Sequence, residues 1–268
     1  MPRDYSRFSE NLRIAVADRV LRLTLHNPDK LNANTEAMHR ALSLVWDEIQ
    51  DDPDVDLVIL TGAGERAFSA GGDPRQMQKM VDEVDRWWRT HVEARRILWR
   101  MLEFDKPLIA RVNGHAVGFG ATLALACDIV VAVEDAKIGD PHAQVGLVCG
   151  DGGALLWAQH IGYMKARELL FTGELISARE ARQLGLINHA VARDALDATV
   201  DAIAAKILGA APLALRLTKN AINLPLRQLA HQTMDAAMSN EMLTALSDDH
   251  REAIRAMIEK DTPRFRGR

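Results

Sequence analysis

Three glycine-rich clusters constrain this chain more than any other feature. They are Phe68-Ser69-Ala70-Gly71-Gly72-Asp73, Asn113-Gly114-His115-Ala116-Val117-Gly118-Phe119-Gly120, and Gly146-Leu147-Val148-Cys149-Gly150-Asp151-Gly152-Gly153. The first two each follow a short apolar run and precede a helical pattern. Small residues at such a place leave backbone N–H groups at a helix start facing a cleft, which is how an oxyanion site is made. The alternative for each cluster is a tight turn that uses glycine's conformational freedom. No Lys-Ser/Thr follows a GxxxxG, and no GxGxxG follows a strand, so phosphate-loop and dinucleotide readings fail.

The organisation around the clusters is that of an α/β protein. Residues 12–25 alternate as strands, 38–49 repeat at helical spacing behind Thr35 as N-cap, and 55–60 is a continuous apolar run ending at a turn. A helix over 83–104, a strand over 107–112, a short helix after Gly118 and a strand over 128–133 continue the alternation, which favours mostly parallel pairing. From Ala154 the character changes. Ser177-Ala178-Arg179-Glu180 reads as a capping box, and helices fit 194–208, 212–223, 226–246 and 248–260, with one possible strand at 187–191. We therefore expect an α/β core over residues 1–190 and a helical C-terminal region over 191–268, the latter docked rather than free.

Composition excludes several classes. In 268 residues there are 33 Lys plus Arg against 37 Asp plus Glu, a net charge of −4. A nucleic-acid binder carries a basic excess, so no nucleic-acid partner is expected. The least polar stretch, 112–127, is shorter than a membrane span of about 20 residues, and the charged start Met1-Pro2-Arg3-Asp4 has no apolar core behind it. No membrane association and no signal peptide are expected. The two cysteines, Cys127 and Cys149, have no CxxC spacing and read as reduced thiols of a cytoplasmic protein. The histidines show no metal-ligand spacing, so no metal is expected.

The motifs carry a resemblance. Phe68–Asp73 resembles the F-[SA]-A-G-x-D segment of the enoyl-CoA hydratase/isomerase (crotonase) superfamily, and 112–128, V-N-G-x-A-x-G-x-G-x-x-L-A-x-x-C-D, is similar to its second signature. Leu31-Asn32-Ala33, Leu170-Phe171-Thr172-Gly173 and Gly185-Leu186-Ile187 follow the same order along nearly the whole chain. The resemblance implies a spiral of ββα units with C-terminal helices that assemble homotrimers, often paired into hexamers. It places the N–H groups of Gly72 and Phe119 at an oxyanion hole for a coenzyme A thioester, which is a substrate, with no permanently bound cofactor. It places Lys30, Leu31 and Ala33 along the pantetheine and phosphates and Ala70 at the adenine end. Asp73 is expected to be structural.

The chain departs from a family hydratase at both water-activating glutamates. Thr122 and His142 stand in their places. Thr122 does not titrate near neutrality, whereas an imidazole with a pKa of about 6.5 suits acid–base work. Asp151, nine residues on, is expected to hold His142 and fix its tautomer. This pair resembles the β-diketone hydrolase branch that includes 6-oxocamphor hydrolase, which also draws an acid from the C-terminal helices; Glu241 is at a comparable place. Phe119 and Leu42 stand where that enzyme has histidines. Three functions follow: an acyl-CoA enzyme using His142, Asp151 and Glu241, a coenzyme A-independent C–C hydrolase, or a non-catalytic acyl-CoA-binding homologue. Trp87-Trp88 and Trp99 are expected to roof an apolar pocket, and the basic end Arg264-Phe265-Arg266-Gly267-Arg268 resembles a family stretch that reaches coenzyme A phosphates.

Overall fold

The alternating segment at the start folds as a hairpin, β1 (Leu12–Ala17) and β2 (Val20–Leu25), paired from Leu12 opposite Leu25 to Ala17 opposite Val20. Its turn residues Asp18 and Arg19 are both left-handed, as a two-residue hairpin of this twist requires. The structure is a computed structural model that describes every residue except Met1, Pro2 and Ser9, so part of the charged start lies outside the described residues.

Helix α1 (Glu36–Gln50) begins where expected, with the Thr35 hydroxyl accepting from Met38 N–H at 3.1 Å. Three turns of one repeat follow. In the first, β3 (Leu57–Gly62) leads to β4 (Ala67–Ser69), α2 (Pro74–Asp82) and α3 (Val84–Glu103). In the second, β5 (Leu108–Val112) leads to β6 (His115–Val117) and α4 (Phe119–Leu125). In the third, β7 (Ile129–Val133) leads to β8 (Lys137–Gly139) and α5 (Gly153–Thr172). The chain closes with β9 (Ile176–Ser177), α6 (Ala178–Gln183), β10 (His189–Val191), α7 (Leu196–Leu208), α8 (Pro212–Ala245) and α9 (Asp248–Glu259). Ser177 caps α6 through Glu180 N–H.

Each repeat gives its first strand to a sheet ordered β1-β2-β3-β5-β7-β10 and its second to a smaller sheet ordered β4-β6-β8-β9. This is the spiral of ββα units that the resemblance implies. Pairing is parallel except at β1–β2 and β8–β9. β3 is buried along its whole length, lying between its neighbours β2 and β5 and packed against α7 and β4. Each fully buried Leu, Ile or Val there contributes roughly 1.5–3 kcal/mol.

Two expectations change. Residues 212–223 and 226–246 form one 34-residue helix, α8, with Pro225 inside it. The proline removes one N–H, and packing of α8 along α3 carries the helix through. The three-residue strands β4, β6 and β8 and helix α2 were not anticipated, since so short a strand has no readable period. The C-terminal helices are docked: α7 lies against β5 and β7, and α9 against α2.

The small sheet positions everything that follows. β4, β6 and β8 are adjacent and parallel, and their ends open into Ala70-Gly71-Gly72, Gly118-Phe119 and Asp140-Pro141-His142. Packing between the first two turns is tight enough that a Cβ added at Gly120 would lie 2.5 Å from the Ser69 carbonyl oxygen. Gly120→Ala is therefore expected to destabilise the protein by about 1–3 kcal/mol, measured by chemical denaturation; an unchanged midpoint would show that the turns can separate freely.

Candidate active site

The three turns open into a cavity of about 760 Å³ walled by α1, α2, α3 and the ends of α8 and α9. Nine of the residues singled out for the site line it: Lys30, Leu31, Ala33, Ala70, Gly72, Phe119, His142, Asp151 and Glu241. Residues separated by more than two hundred positions thus face one space.

The segment at Lys30 is clamped to the first glycine cluster. Leu31 and Asn32 are both left-handed, at φ 54° and 53°, a conformation that non-glycine residues hold only under constraint. The constraint is the buried Asn32 amide, which donates to the carbonyls of Ala63 and Ala67, both at 2.9 Å, and accepts from Asn27 N–H at 3.0 Å. Ala70 N–H donates to the Leu31 carbonyl at 3.0 Å. The Lys30 ammonium donates to Asp73 at 2.8 Å, and Asp73 also caps α2 by accepting from Arg75 N–H at 2.9 Å. Asn32 was quoted within a motif without a role; its burial is what gives it one.

Gly71 and Gly118 turn the chain at φ 80° and 55°, where an L side chain is strained. A Cβ on Gly71 would meet the Val117 carbonyl oxygen at 2.7 Å and come 3.6 Å from the Phe119 nitrogen. The two turns therefore touch, and the N–H groups of Gly72 and Phe119 have no hydrogen-bond partner among the described residues. Phe119 opens α4, where the helix presents partial positive charge.

Beside them is a buried ionisable group. Asp140, His142, Asp151 and Glu241 are all nearly inaccessible. We expected Asp151 to hold His142, but the structure gives that place to Asp140, whose carboxylate is hydrogen-bonded to His142 Nδ1. Asp151 Oδ2 lies 3.6 Å from His142 Nε2, beyond a direct hydrogen bond, and its other oxygen is 3.5 Å from the Thr122 hydroxyl. Asp140 lies two residues before His142 in Gly139-Asp140-Pro141-His142, at a position that no motif singles out. Ligating atoms of Asp140, His142 and Asp151 also lie within 4.8 Å of one another, a spacing that can hold a cation, although histidine spacing in the sequence gave no such indication.

Burial opposes charge on His142, but the carboxylates of Asp140 and Asp151 outweigh it and hold its pKa well above 6.5. The imidazolium form of His142 is thereby favoured. Burial first, and then the charges of Asp151 and Asp140, push the Glu241 carboxyl up to about 8. Burial likewise raises Asp151, against the nearby imidazolium. Protonated forms are thus favoured at His142, Asp151 and Glu241.

Other expectations resolve individually. Trp87 lines the cavity and joins Met80, Leu147 and Ala245 in an apolar wall, whereas Trp88 is exposed and Trp99 stacks on His231 at 4.1 Å outside it. His115 accepts from Lys137 N–H at 3.0 Å and serves its loop. The C-terminal basic stretch folds onto α9, where Asp249 accepts from the N–H groups of Arg266 and Gly267 at 2.6 and 2.7 Å; its arginines do not line the cavity. His39, Arg66 and Arg75 do line it and were missed.

Glu241 supplies a stability test. With a folded pKa of about 8 against 4.5 unperturbed, the native protein holds a proton that the unfolded chain releases between those values. Its contribution is present below the lower value and is lost as pH rises through the upper one. Glu241→Gln is expected to flatten the fall in unfolding free energy between about pH 5 and about pH 9, read by denaturant titration; parallel curves would show that Glu241 ionises normally.

The family model for enoyl-CoA hydratase/isomerase matches residues 16–268. The chain is 35% identical over 251 residues to the short-chain-enoyl-CoA hydratase of Clostridium acetobutylicum, covering 93% of this chain and 95% of that one. It is 34% identical over 262 residues to the 2,3-dehydroadipyl-CoA hydratase of Escherichia coli, covering 96% and 99%. A crystal structure of an enoyl-CoA hydratase/isomerase from Mycobacterium paratuberculosis superposes with a TM-score of 0.88 at 38% identity, over 91% of this chain and 97% of that one.

Proposed function

Because the chain belongs to the enoyl-CoA hydratase/isomerase (crotonase) superfamily, we propose that it acts on an acyl-CoA thioester through an enolate, without the paired-glutamate chemistry. The observation that supports this most is the convergence of the Gly72 and Phe119 N–H groups and the His142–Asp151–Glu241 group on one cavity. The thioester oxygen accepts from the two N–H groups, and fixed donors of this kind contribute about 3–4 kcal/mol each at the transition state. Glu241, whose carboxyl is pushed up to about 8 and which lies near His142, delivers a proton to the enolate carbon. Asp140 holds His142 in place, and Asp151, next to the Thr122 hydroxyl, completes the polar wall.

Coenzyme A lies along Lys30 and Leu31 in this reading, with its adenine end toward Ala70. Lys30, Arg66 and Arg75, exposed at the mouth, face its phosphates. The acyl chain enters the wall of Met80, Trp87 and Leu147. Leu213, Leu217, Ile222 and Leu224 expose apolar surface on α8, which fits self-association into homotrimers or paired trimers. Two free thiols fit the reducing cytoplasm.

The presence of Glu241 in the cavity beside Asp151 favours a second reading, C–C hydrolysis of a β-diketone. Calorimetric titration with butyryl-CoA and turnover of crotonyl-CoA separate the two. We expect acyl-CoA binding, and a loss of about 10²–10⁴ in kcat for His142→Ala with binding retained. Turnover of a cyclic β-diketone with no acyl-CoA binding would overturn the first reading in favour of the second.

A further inference from the structure

We propose that His39 is a second proton-transfer residue of this site, the acceptor that complements the donor group of His142, Asp151 and Glu241. The inference rests on the acyl-CoA reading above. His39 is carried by α1, is 7% exposed, and lines the cavity. Its Nδ1 lies 3.1 Å from Glu93 Oε2 on α3, 54 residues away in sequence. A carboxylate against one ring nitrogen fixes the tautomer: Nδ1–H donates to Glu93, and the lone pair remains on Nε2. Nε2 has no partner among the described residues.

The placement is against the oxyanion turn. The His39 ring is tilted on the Phe119 ring with centroids 5.1 Å apart. On the preceding residue, Gly118, an added Cβ would lie 3.8 Å from His142 Cε1. The two imidazoles thus lie beside consecutive residues of one turn and line the same cavity. Their surroundings differ. His142 has carboxylates near both ring nitrogens, Asp140 at Nδ1 and Asp151 toward Nε2, with Glu241 close by, whereas His39 has Glu93 at one nitrogen and shares the cavity with Asp151. The first arrangement surrounds its imidazole with carboxylates, whereas the second leaves Nε2 without a carboxylate partner.

For water addition to an α,β-unsaturated thioester, His39 Nε2 takes one proton from water. The electron pair of that O–H bond is released to the oxygen, which uses a lone pair to form the new C–O bond at the β-carbon. The π pair moves through the α-carbon to the thioester oxygen, held by the Gly72 and Phe119 N–H groups. The α-carbon then takes a proton from the donor group, and the proton on His39 returns to that group through solvent. One water is consumed and the protein is restored.

The test uses the full chain with His39→Ala, His39→Gln and Glu93→Gln, butyryl-CoA as binding probe and crotonyl-CoA turnover in heavy water followed by NMR. We expect His39→Ala to lose roughly 100-fold or more in kcat while the butyryl-CoA dissociation constant moves by less than about threefold. Added imidazole is expected to restore part of that loss, which a packing role would not permit; Glu93→Gln is expected to show a smaller loss of kcat. His39→Gln keeps the volume should the alanine variant fail to fold. Unchanged kcat in a folded His39 variant overturns the inference and leaves the acyl-CoA reading intact. Binding without turnover in the wild type does the same, and failure of the wild type to bind any acyl-CoA removes both.

Discussion

Parallel pairing of three short strands, β4, β6 and β8, is the constraint on which the site depends. Adjacent strands lie about 4.8 Å apart, so three successive turns at their carboxyl ends must converge. In parallel sheets that end is where ligands bind. Here the register sets Ala67 opposite His115 and Val117 opposite Gly139, which delivers Gly72, Phe119 and His142 to one wall. The left-handed glycines Gly71 and Gly118 follow from this convergence, since any side chain at Gly71 would strike the Val117 carbonyl.

The second consequence concerns buried charge. An isolated carboxylate in such a wall is strongly unfavourable unless it is paired or neutralised. Three carboxyl groups share the neighbourhood of one imidazole, and they favour the protonated form of His142 while burial pushes the Glu241 carboxyl up to about 8. The resemblance sets Thr122 and His142 in place of a family hydratase's two glutamates, and Glu241 adds a titratable group to the same wall. It is supplied from α8, a different element of the fold. His39 and Glu93, on α1 and α3, furnish a histidine–carboxylate pair of the opposite character.

Much of this was legible in the residues. Glycine clusters behind apolar runs, the series of motifs in family order, and His142 at a glutamate position pointed to fold, cavity and chemistry together. The partner of His142 was not legible, because Asp151 sits in a conspicuous glycine cluster while Asp140 occupies an unremarkable position. His39 and Glu93 belong to two amphipathic helices whose apolar stripes dominate the pattern, and nothing local indicates that they meet. The tryptophans misled in the opposite sense: Trp87, Trp88 and Trp99 share one helix, but of the three Trp87 alone lines the cavity. Pro225 signalled a break that packing of α8 on α3 overrides. Side-chain partners set by tertiary packing are what a single sequence leaves open.

The central claim is that a thioester carbonyl is polarised between the Gly72 and Phe119 N–H groups. Difference infrared spectroscopy of bound acyl-CoA labelled with carbon-13 at the thioester carbonyl reads this bond directly. The account predicts that the carbonyl stretch moves to lower frequency on binding, as two hydrogen bonds draw charge onto the oxygen. A bound thioester whose carbonyl frequency equals that of the free ligand would contradict it.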